Sequence, residues 1–510
     1  MRKNNKWLLG ALTCFCLTGC AVGPDYHPPE TRMPDGFIAA SDVSTMPDQP
    51  VIDAAKWWQS LNDAELNSLI DRAIKGNQDI EIALNRMQEA RIQETVVMGD
   101  ALPQAEFSLG GGAGTGSDLA RGRASGPLVS AENSGHLPQV TQIAGFDAAW
   151  ELDLFGKYRR EMEAAEYNTE AATAARNSVL ISVIADTARA YADMRALQMQ
   201  LVVLQKNEST LRDYLKLTQE RFDRGITNEL DFALAQRQLA SLEAEKAPLI
   251  SQIHAAQYVI AVLLGQFPEA TAKELEKPGM VPQLPEKVVA GVPLDLLRRR
   301  PDIQEAERDV AGATARIGVA EADLFPHVSL TGGAGLEGYG VSSGLNPMSF
   351  IWSVGPSVNW SLLDFGTLDA LVDIADLRTK EMLAQYKQTV LSAVREVDTS
   401  IGSYAAQQDR LHNLGKALTA SQRAVSLANQ RYDRGLTDSL NVIDAERQEY
   451  ALEEQYVSSQ QTAAEQFIVL YKALGGGWEQ YQSFPPIRQP QPAVLAAFTR
   501  LLSSHDPQKK

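Results

Sequence analysis

Apolar and polar positions alternate strictly along residues 350–362. Phe350, Trp352, Val354, Pro356, Val358, Trp360 and Leu362 fall on one face, and Ser353, Gly355, Ser357, Asn359 and Ser361 on the other. A period of two is the signature of a strand. Residues 145–154 repeat the pattern, with Phe146, Ala148, Trp150, Leu152 and Leu154 opposing Gly145, Asp147, Glu151 and Asp153. Shorter alternations at Ala105, Phe107 and Leu109, and at Val328, Leu330, Ala334 and Leu336, begin an earlier strand in each half. The period then changes. From 155 to 224 there is no proline and only one glycine, at the start. Leu180, Ile184, Ala188, Tyr191, Met194, Leu197, Leu201 and Leu204 recur roughly every 3.5 residues, the spacing of a coiled coil. Such a helix is on the order of 100 Å long. A second one is expected over 366–434, with Val390, Val394, Ile401, Tyr404, Leu411 and Leu414 in matching places and Asp398 where the first has Ala188.

These elements are written twice. Residues 221–243 and 431–453 align at a shift of 210, which also superposes Trp150–Gly156 on Trp360–Gly366. Upstream, a shift of 223 aligns Asp79-Ile80 with Asp302-Ile303 and Leu102-Pro103 with Phe325-Pro326. The two shifts differ by 13, so an insertion lies between Pro103 and Trp150, most naturally in the Gly- and Ser-rich stretch around 117–136. The chain is therefore a tandem duplication. Each half reads as a helical stretch (63–100, then 294–324) ended before a proline, two strands, a very long helix, a glycine-marked turn and a returning helix.

Strands with one apolar, aromatic-bearing face and a Gly-, Ser- or acid-rich opposite face suit a membrane β-barrel better than a half-buried soluble sheet. Trp150 and Trp360 share one position of the repeat and are the expected membrane-interface aromatics. Four strands cannot close such a barrel, and an open edge in hydrocarbon leaves costly unpaired backbone groups. Chains must share it. Two would give eight strands, whose interior side chains fill; a channel calls for at least three.

Composition narrows the function. Lys+Arg 47 against Asp+Glu 64 gives −17, which excludes a nucleic-acid footprint. Arg2, Lys3 and Lys6 precede a short apolar run, Trp7–Leu17, that reads as a secretory signal rather than a membrane span. It ends in Leu17-Thr18-Gly19-Cys20, which resembles the bacterial lipoprotein processing box and marks Cys20 for acylation. Ala21, following the cysteine, favours outer-membrane retention by the same resemblance. Of three cysteines, Cys14 and Cys16 lie in the signal, so no internal disulfide is available. The histidines are scattered. Gly333-Ala-Gly335-Leu-Glu-Gly338 matches a dinucleotide fingerprint only formally, because no helix follows it. No nucleophile elbow, phosphate loop or metal-ligand spacing stands out, so neither enzyme activity nor a cofactor or metal is expected.

Both long helices end alike, in Arg224, Gly225, Ile226, Thr227, Asn228 and in Arg434, Gly435, Leu436, Thr437, Asp438. Glycine closes a helix in the left-handed conformation, and Thr with Asn or Asp caps the next one. The recurrence of Arg and Thr exceeds what a turn needs. These turns, the lipobox, Trp57-Trp58 and Gly291-Val-Pro-Leu-Asp-Leu-Leu-Arg-Arg-Arg-Pro-Asp302 resemble the TolC-like outer-membrane efflux factors, closest to the lipoprotein branch typified by OprM and NodT. Leu294 departs from the small polar residue usual there. The resemblance implies a homotrimer with a twelve-stranded β-barrel continuous with a twelve-helix coiled-coil periplasmic tunnel. It divides the chain into a signal (1–19), an N-terminal lipid-anchored segment (20–62), a first repeat (63–265), a linker (266–293), a second repeat (294–474) and a tail (475–510). Segment, linker and tail would form an equatorial domain. It implies outer-membrane lipid, a periplasmic adaptor that meets the Arg-Gly-[Ile/Leu]-Thr turns, and an inner-membrane pump of RND type as partners. The exported cargo would be small toxic compounds, with type I protein secretion as the alternative within the class. A lipid-anchored coiled-coil structural protein is the alternative outside it. Where the halves disagree, Leu234 in the first hairpin stands opposite Asp444 in the second. By resemblance, Leu440 and Asp444, one turn apart on a helix face, narrow the periplasmic entrance, with Asn441 and Tyr432 as polar neighbours.

Overall fold

The computed structural model describes residues 21–41, 53–114, 139–225, 228–285, 293–339, 349–434, 436–437 and 439–481. Cys20, the 117–136 stretch, Ile226, Thr227, Gly435 and the tail beyond 481 lie outside the described residues.

Each half supplies two strands, a 67-residue helix and a 35-residue returning helix. The first half comprises α1 (Ala64–Gly76), α2 (Gln78–Asp100), β1 (Gln104–Gly114), β2 (Gln139–Leu152), α3 (Lys157–Asp223) and α4 (Glu229–Leu263), with the short α5 (Pro268–Ala272) in the link. The second comprises α6 (Pro293–Arg299), α7 (Pro301–Ala322), β3 (His327–Tyr339), β4 (Phe350–Asn359), α8 (Thr367–Asp433) and α9 (Ser439–Ala473). The strands form one antiparallel sheet in the order β1-β2-β3-β4, with Phe107 opposite Phe146, Phe146 opposite Ala334, and Ala334 opposite Trp352. Phe107, Phe146, Trp352, Val354 and Val358 are exposed, so the apolar face of the sheet has no partner among the described residues.

Aspartates start both long helices. Asp153 accepts the backbone N–H groups of Tyr158 (3.2 Å) and Arg159 (3.1 Å); Asp364 accepts those of Gly366 (3.2 Å) and Leu368 (2.9 Å). They satisfy donors that a helix N-terminus leaves orphaned and place negative charge where the dipole favours it. Toward the sheet the helices pack side by side in the order α2-α3-α7-α8, and farther away in the order α4-α3-α9-α8. The tightest core lies midway, where the Trp57 ring stacks on Tyr471 (5.8 Å, 16°) and meets Phe467 edge-on. Trp58, Tyr191, Tyr404, Leu66 and Leu69 close around it.

The structure departs from the expected single helices over 63–100 and 294–324. Each is broken, at Asn77 and at Arg300, and the breaks are equivalent positions of the repeat. The C-terminus of the returning helix abuts each break. Asn77 caps α2 through Oδ1, accepting from Asp79 N–H (2.9 Å), while its Nδ2 donates to Leu263 O (2.9 Å). Arg300 Nη1 donates to Ala473 O (2.9 Å), the repeat equivalent of Leu263. Pro301 follows as the first residue of α7, where the missing N–H costs nothing. Both returning helices end in the same Schellman closure, Gln266 N–H to Ala261 O and Gly476 N–H to Tyr471 O. α4 thus continues end-on into α2, and α9 into α7.

Asp398, which interrupts the apolar seam of α8, also has a purpose: its Oδ1 accepts the N–H of Ala39 in the N-terminal segment (3.3 Å).

The joint between α4 and α2 is closed by backbone approach. A Cβ on Gly265, which sits at φ +67°, would collide with the carbonyl of Gly76. Gly265→Ala is expected to cost roughly 2–4 kcal/mol. Gly225→Ala, at a similar φ of +68° but with open space around it, should cost about 1 kcal/mol. Thermal unfolding followed by far-UV ellipticity checks the order; equal losses would mean that the joint is not close-packed.

Candidate functional site

The ends of the two hairpins, farthest from the sheet, carry most of the residues singled out by sequence. In the first, α3 closes through Arg224 and Gly225, whose N–H donates to Phe222 O at 2.9 Å. Asn228 caps α4, its Oδ1 accepting from Asp231 N–H at 3.0 Å. Phe222 and Phe232 stack across the turn, centroids 6.0 Å apart and planes 11° apart, which fixes how the two helices approach. In the second hairpin, Leu436 N–H reaches back to Arg431 O (2.9 Å) and closes α8; the Leu436 side chain is exposed. Thr437 Oγ1 accepts from Asn441 Nδ2 (2.8 Å), so Asn441 serves the start of α9. The Arg–Thr recurrence expected in both turns is described only in part, because Ile226, Thr227 and Gly435 are not among the described residues.

Leu440 is 62% exposed, and its repeat counterpart Leu230 equally so. One turn on, the Asp444 carboxylate pairs with Arg447 of its own helix at 2.8 Å, both side chains remaining about 60% exposed. Leu440 and Asp444 therefore do share a free face of the second hairpin. Tyr432 lies in the last turn of α8. Its ring lies under the Arg221 guanidinium, 4.5 Å from the centroid, a cation–π contact that ties the end of α8 to the end of α3. Sequence reasoning missed Arg221 and Arg447. The first is the repeat counterpart of Arg431, and the second was legible from its spacing of three from Asp444.

Above the tips, ion pairs fasten the hairpins together. Lys206 on α3 reaches Glu453 (2.6 Å) and Glu449 (3.6 Å) on α9. Glu208 on α3 meets Lys246 on α4 at 2.9 Å. Glu446 has no such cation among the described residues. Burial, reinforced by Glu449 and opposed by a hydrogen bond from Asn429, holds its carboxyl above the usual carboxylate range.

At the other end of α3 and α8, Trp150 and Trp360 occupy equivalent sites. The indole N–H of Trp150 donates to Ala101 O and that of Trp360 to Leu324 O, each at 3.1 Å. Each tryptophan thereby caps a carbonyl at the end of the preceding helix while its ring stays partly open to the surroundings. Among the described residues no helix is long and apolar enough to cross a membrane, and no group of three His, Cys, Asp or Glu side chains could hold a metal ion.

Comparison with known proteins gives a consistent result. The family model for the outer membrane efflux protein matches residues 69–266 and 292–476. Nodulation protein T of Rhizobium leguminosarum bv. trifolii is 31% identical over 466 residues, covering 91% of this chain and 95% of its own length. The probable efflux pump outer membrane protein TtgC of Pseudomonas putida is 29% identical over 470 residues, covering 92% and 95%. Among solved structures, the outer-membrane channel OprN superposes with a TM-score of 0.79 at 33% identity, covering 90% of this chain and 100% of its own.

Glu446, near the tips, makes a pH-dependent prediction. The folded state raises the pKa of Glu446, so it binds the proton more tightly than the unfolded chain does. The contribution of Glu446 is then complete below its ordinary value, about 4.3, and is lost as pH rises through the raised one. Glu446→Gln should raise the thermal midpoint at neutral pH and change it little near pH 4 (roughly the ordinary value of a glutamate). A gain confined to acidic pH would refute the assignment.

Proposed function

The chain belongs to the outer membrane efflux protein family, and we propose that it is the exit duct of a tripartite efflux pump, carrying small toxic compounds across the periplasm and outer membrane. The observation that carries this reading is structural continuity. A sheet with an exposed apolar face runs directly into a 67-residue helix, once in each half of the chain.

Oligomerisation follows from open edges. Among the described residues β1 pairs only with β2 and β4 only with β3. The helical layer has matching edges, α2 and α4 on one side and α8 on the other, carrying exposed Ile82, Val96 and Val259 against Leu371, Leu377 and Leu391. Edges of different composition meet head-to-tail, and a head-to-tail contact that closes makes a ring. A homotrimer gives twelve strands and twelve helices around one axis, wide enough to conduct. Trp150 and Trp360 then sit at the membrane interface, and the core around Trp57 and Trp58 belongs to an equatorial belt built from the N-terminal segment, the linker and the tail.

At the periplasmic end, three copies of Leu440 and Asp444 form an apolar ring and a carboxylate ring, with Asn441 and Tyr432 beside them. The Arg224–Thr227 and Arg434–Thr437 turns present the docking surface for the adaptor, and an inner-membrane pump of RND type supplies cargo and energy. Cys20 carries the lipid. The Arg447 guanidinium beside Asp444 partly offsets the repulsion between the three carboxylates.

Planar-bilayer recording tests the channel and its constriction together. The double substitution Leu440→Ala with Asp444→Ala is expected to raise basal conductance and abolish block by multivalent cations. Native currents and native block would sink the gate, and absence of any conductance in the unsubstituted trimer would sink the duct. For docking, Gly225→Val with Gly435→Val should weaken cross-linking to the adaptor while SDS-resistant trimers persist; undiminished cross-linking would reduce the turns to turns.

A further inference from the structure

The first described residues, 21–39, lie in a groove built to hold them. Val22 N–H donates to Phe155 O at 3.0 Å, just beyond the end of β2. Arg160, in the first turn of α3, has a side chain only 6% exposed. Its Nε donates to Val22 O (3.1 Å), its Nη2 to Gly23 O (3.1 Å) and Asp25 Oδ1 (2.7 Å), and its Nη1 to Glu163 Oε2 (2.8 Å). One buried guanidinium therefore spends three of its four bonds on residues 22–25. A buried charge is tolerated only when its donors are met this fully.

The floor of the groove is shaped for the same segment. A Cβ on Gly156 would come within 2.6 Å of Ala21 Cα, and one on Gly318 of α7 within 2.8 Å of Val22 O. The two glycines come from opposite halves of the duplication and have the segment between them. Farther along, Tyr26 OH donates to Glu307 (3.1 Å) and its ring meets Tyr167 edge-on at 5.7 Å. Thr31 shares a hydrogen bond with Tyr386 (3.1 Å), and Ala39 N–H reaches Asp398 (3.3 Å). The strap crosses α3, α7 and α8 in turn.

Conduction needs none of this. The bonds around Arg160 do fix residue 21, the neighbour of Cys20, at the junction of sheet and helices. We propose that Arg160 is a positioning residue that captures the mature N-terminus, so that the acyl chains on Cys20 enter the lipid surface at the strand–helix junction because the strap is docked there. The lipid is the passenger and the strap the holder. This rests on the reading of Cys20 as acylated, and it reverses the order expected if acyl chains alone tethered a loose leader.

Hydrogen exchange followed by mass spectrometry, on the full-length trimer, reads the Val22 amide directly. Arg160→Ala is expected to speed its exchange on the order of tenfold or more, since two charge-assisted bonds to the strap backbone vanish. Arg160→Lys should give an intermediate rate. Asp25→Ala, which leaves the helices untouched should Arg160→Ala fail to fold, should give roughly a twofold to fivefold increase. Cys20→Ser, unacylated, should keep Val22 protected. Native exchange rates in both Arg160→Ala and Asp25→Ala, or deprotection by Cys20→Ser as large as that by Arg160→Ala, would overturn the proposal. Palmitate labelling of the native chain separates the two levels: no label overturns the acylation reading and this proposal with it, whereas label retained beside unchanged exchange overturns the role of Arg160 alone.

Discussion

Unpaired backbone at the two edges of a four-stranded sheet is the constraint on which the rest of this molecule depends. Among the described residues, β1 and β4 each leave one row of N–H and C=O groups without a strand partner. In water such edges invite aggregation, and in hydrocarbon each unpaired group costs several kcal/mol. The helical layer repeats the condition, because α8 on one side and α2 with α4 on the other present apolar residues that no described residue covers. Edges of this kind couple the folding of one copy to whatever pairs with them.

Duplication is what lets a single chain furnish so much wall. Two long helices run the full height, and the remaining positions are filled by shorter helices meeting end-on. Such a joint must satisfy a C-terminal set of carbonyls and an N-terminal set of N–H groups in one place. Asn77 does this with one amide, accepting from α2 and donating to α4. Arg300 does it with a guanidinium that also reaches Asp302 and Glu396, so the second joint is additionally tied to α8. The wall is stiff at the joints for a local reason, not merely because its helices are long.

The strands, the long helices and the duplication were legible because each leaves a period in the sequence. The expected helices over 155–224 and 366–434 differ from Lys157–Asp223 and Thr367–Asp433 by one or two residues at each end. The breaks at 77 and 300 were not anticipated. Pro301 could have announced the second, since the residue before a proline is pushed out of the helical region. The first could not be read locally: the partner of Asn77 is Leu263, far away in the chain. The same holds at the tips. The turns and the Leu440–Asp444 spacing are sequence features, whereas Tyr432 under Arg221 depends on two helices meeting that sequence order does not bring together. The grip of Arg160 on residues 22–25 was hidden for the same reason.

The most informative positions are those at which the halves have diverged. If both halves were identical, a ring of three chains would be nearly sixfold, and its inner and outer surfaces would repeat twice per chain. Asp398 stands where the first half has Ala188, and it receives the strap. Arg300 stands for Asn77, and it adds the tie to α8. Asp444 stands for Leu234, and with it a carboxylate replaces an apolar side chain beside Leu440. Phe222 and Tyr432 are likewise counterparts: one stacks on Phe232 inside its own hairpin, the other bridges to Arg221 of the neighbouring one. Asp398, Arg300 and Tyr432 of the second copy each reach another element, whereas Asp444 pairs with Arg447 of its own helix. Periodicity builds the wall, and the departures from it mark where the second half makes contacts of its own.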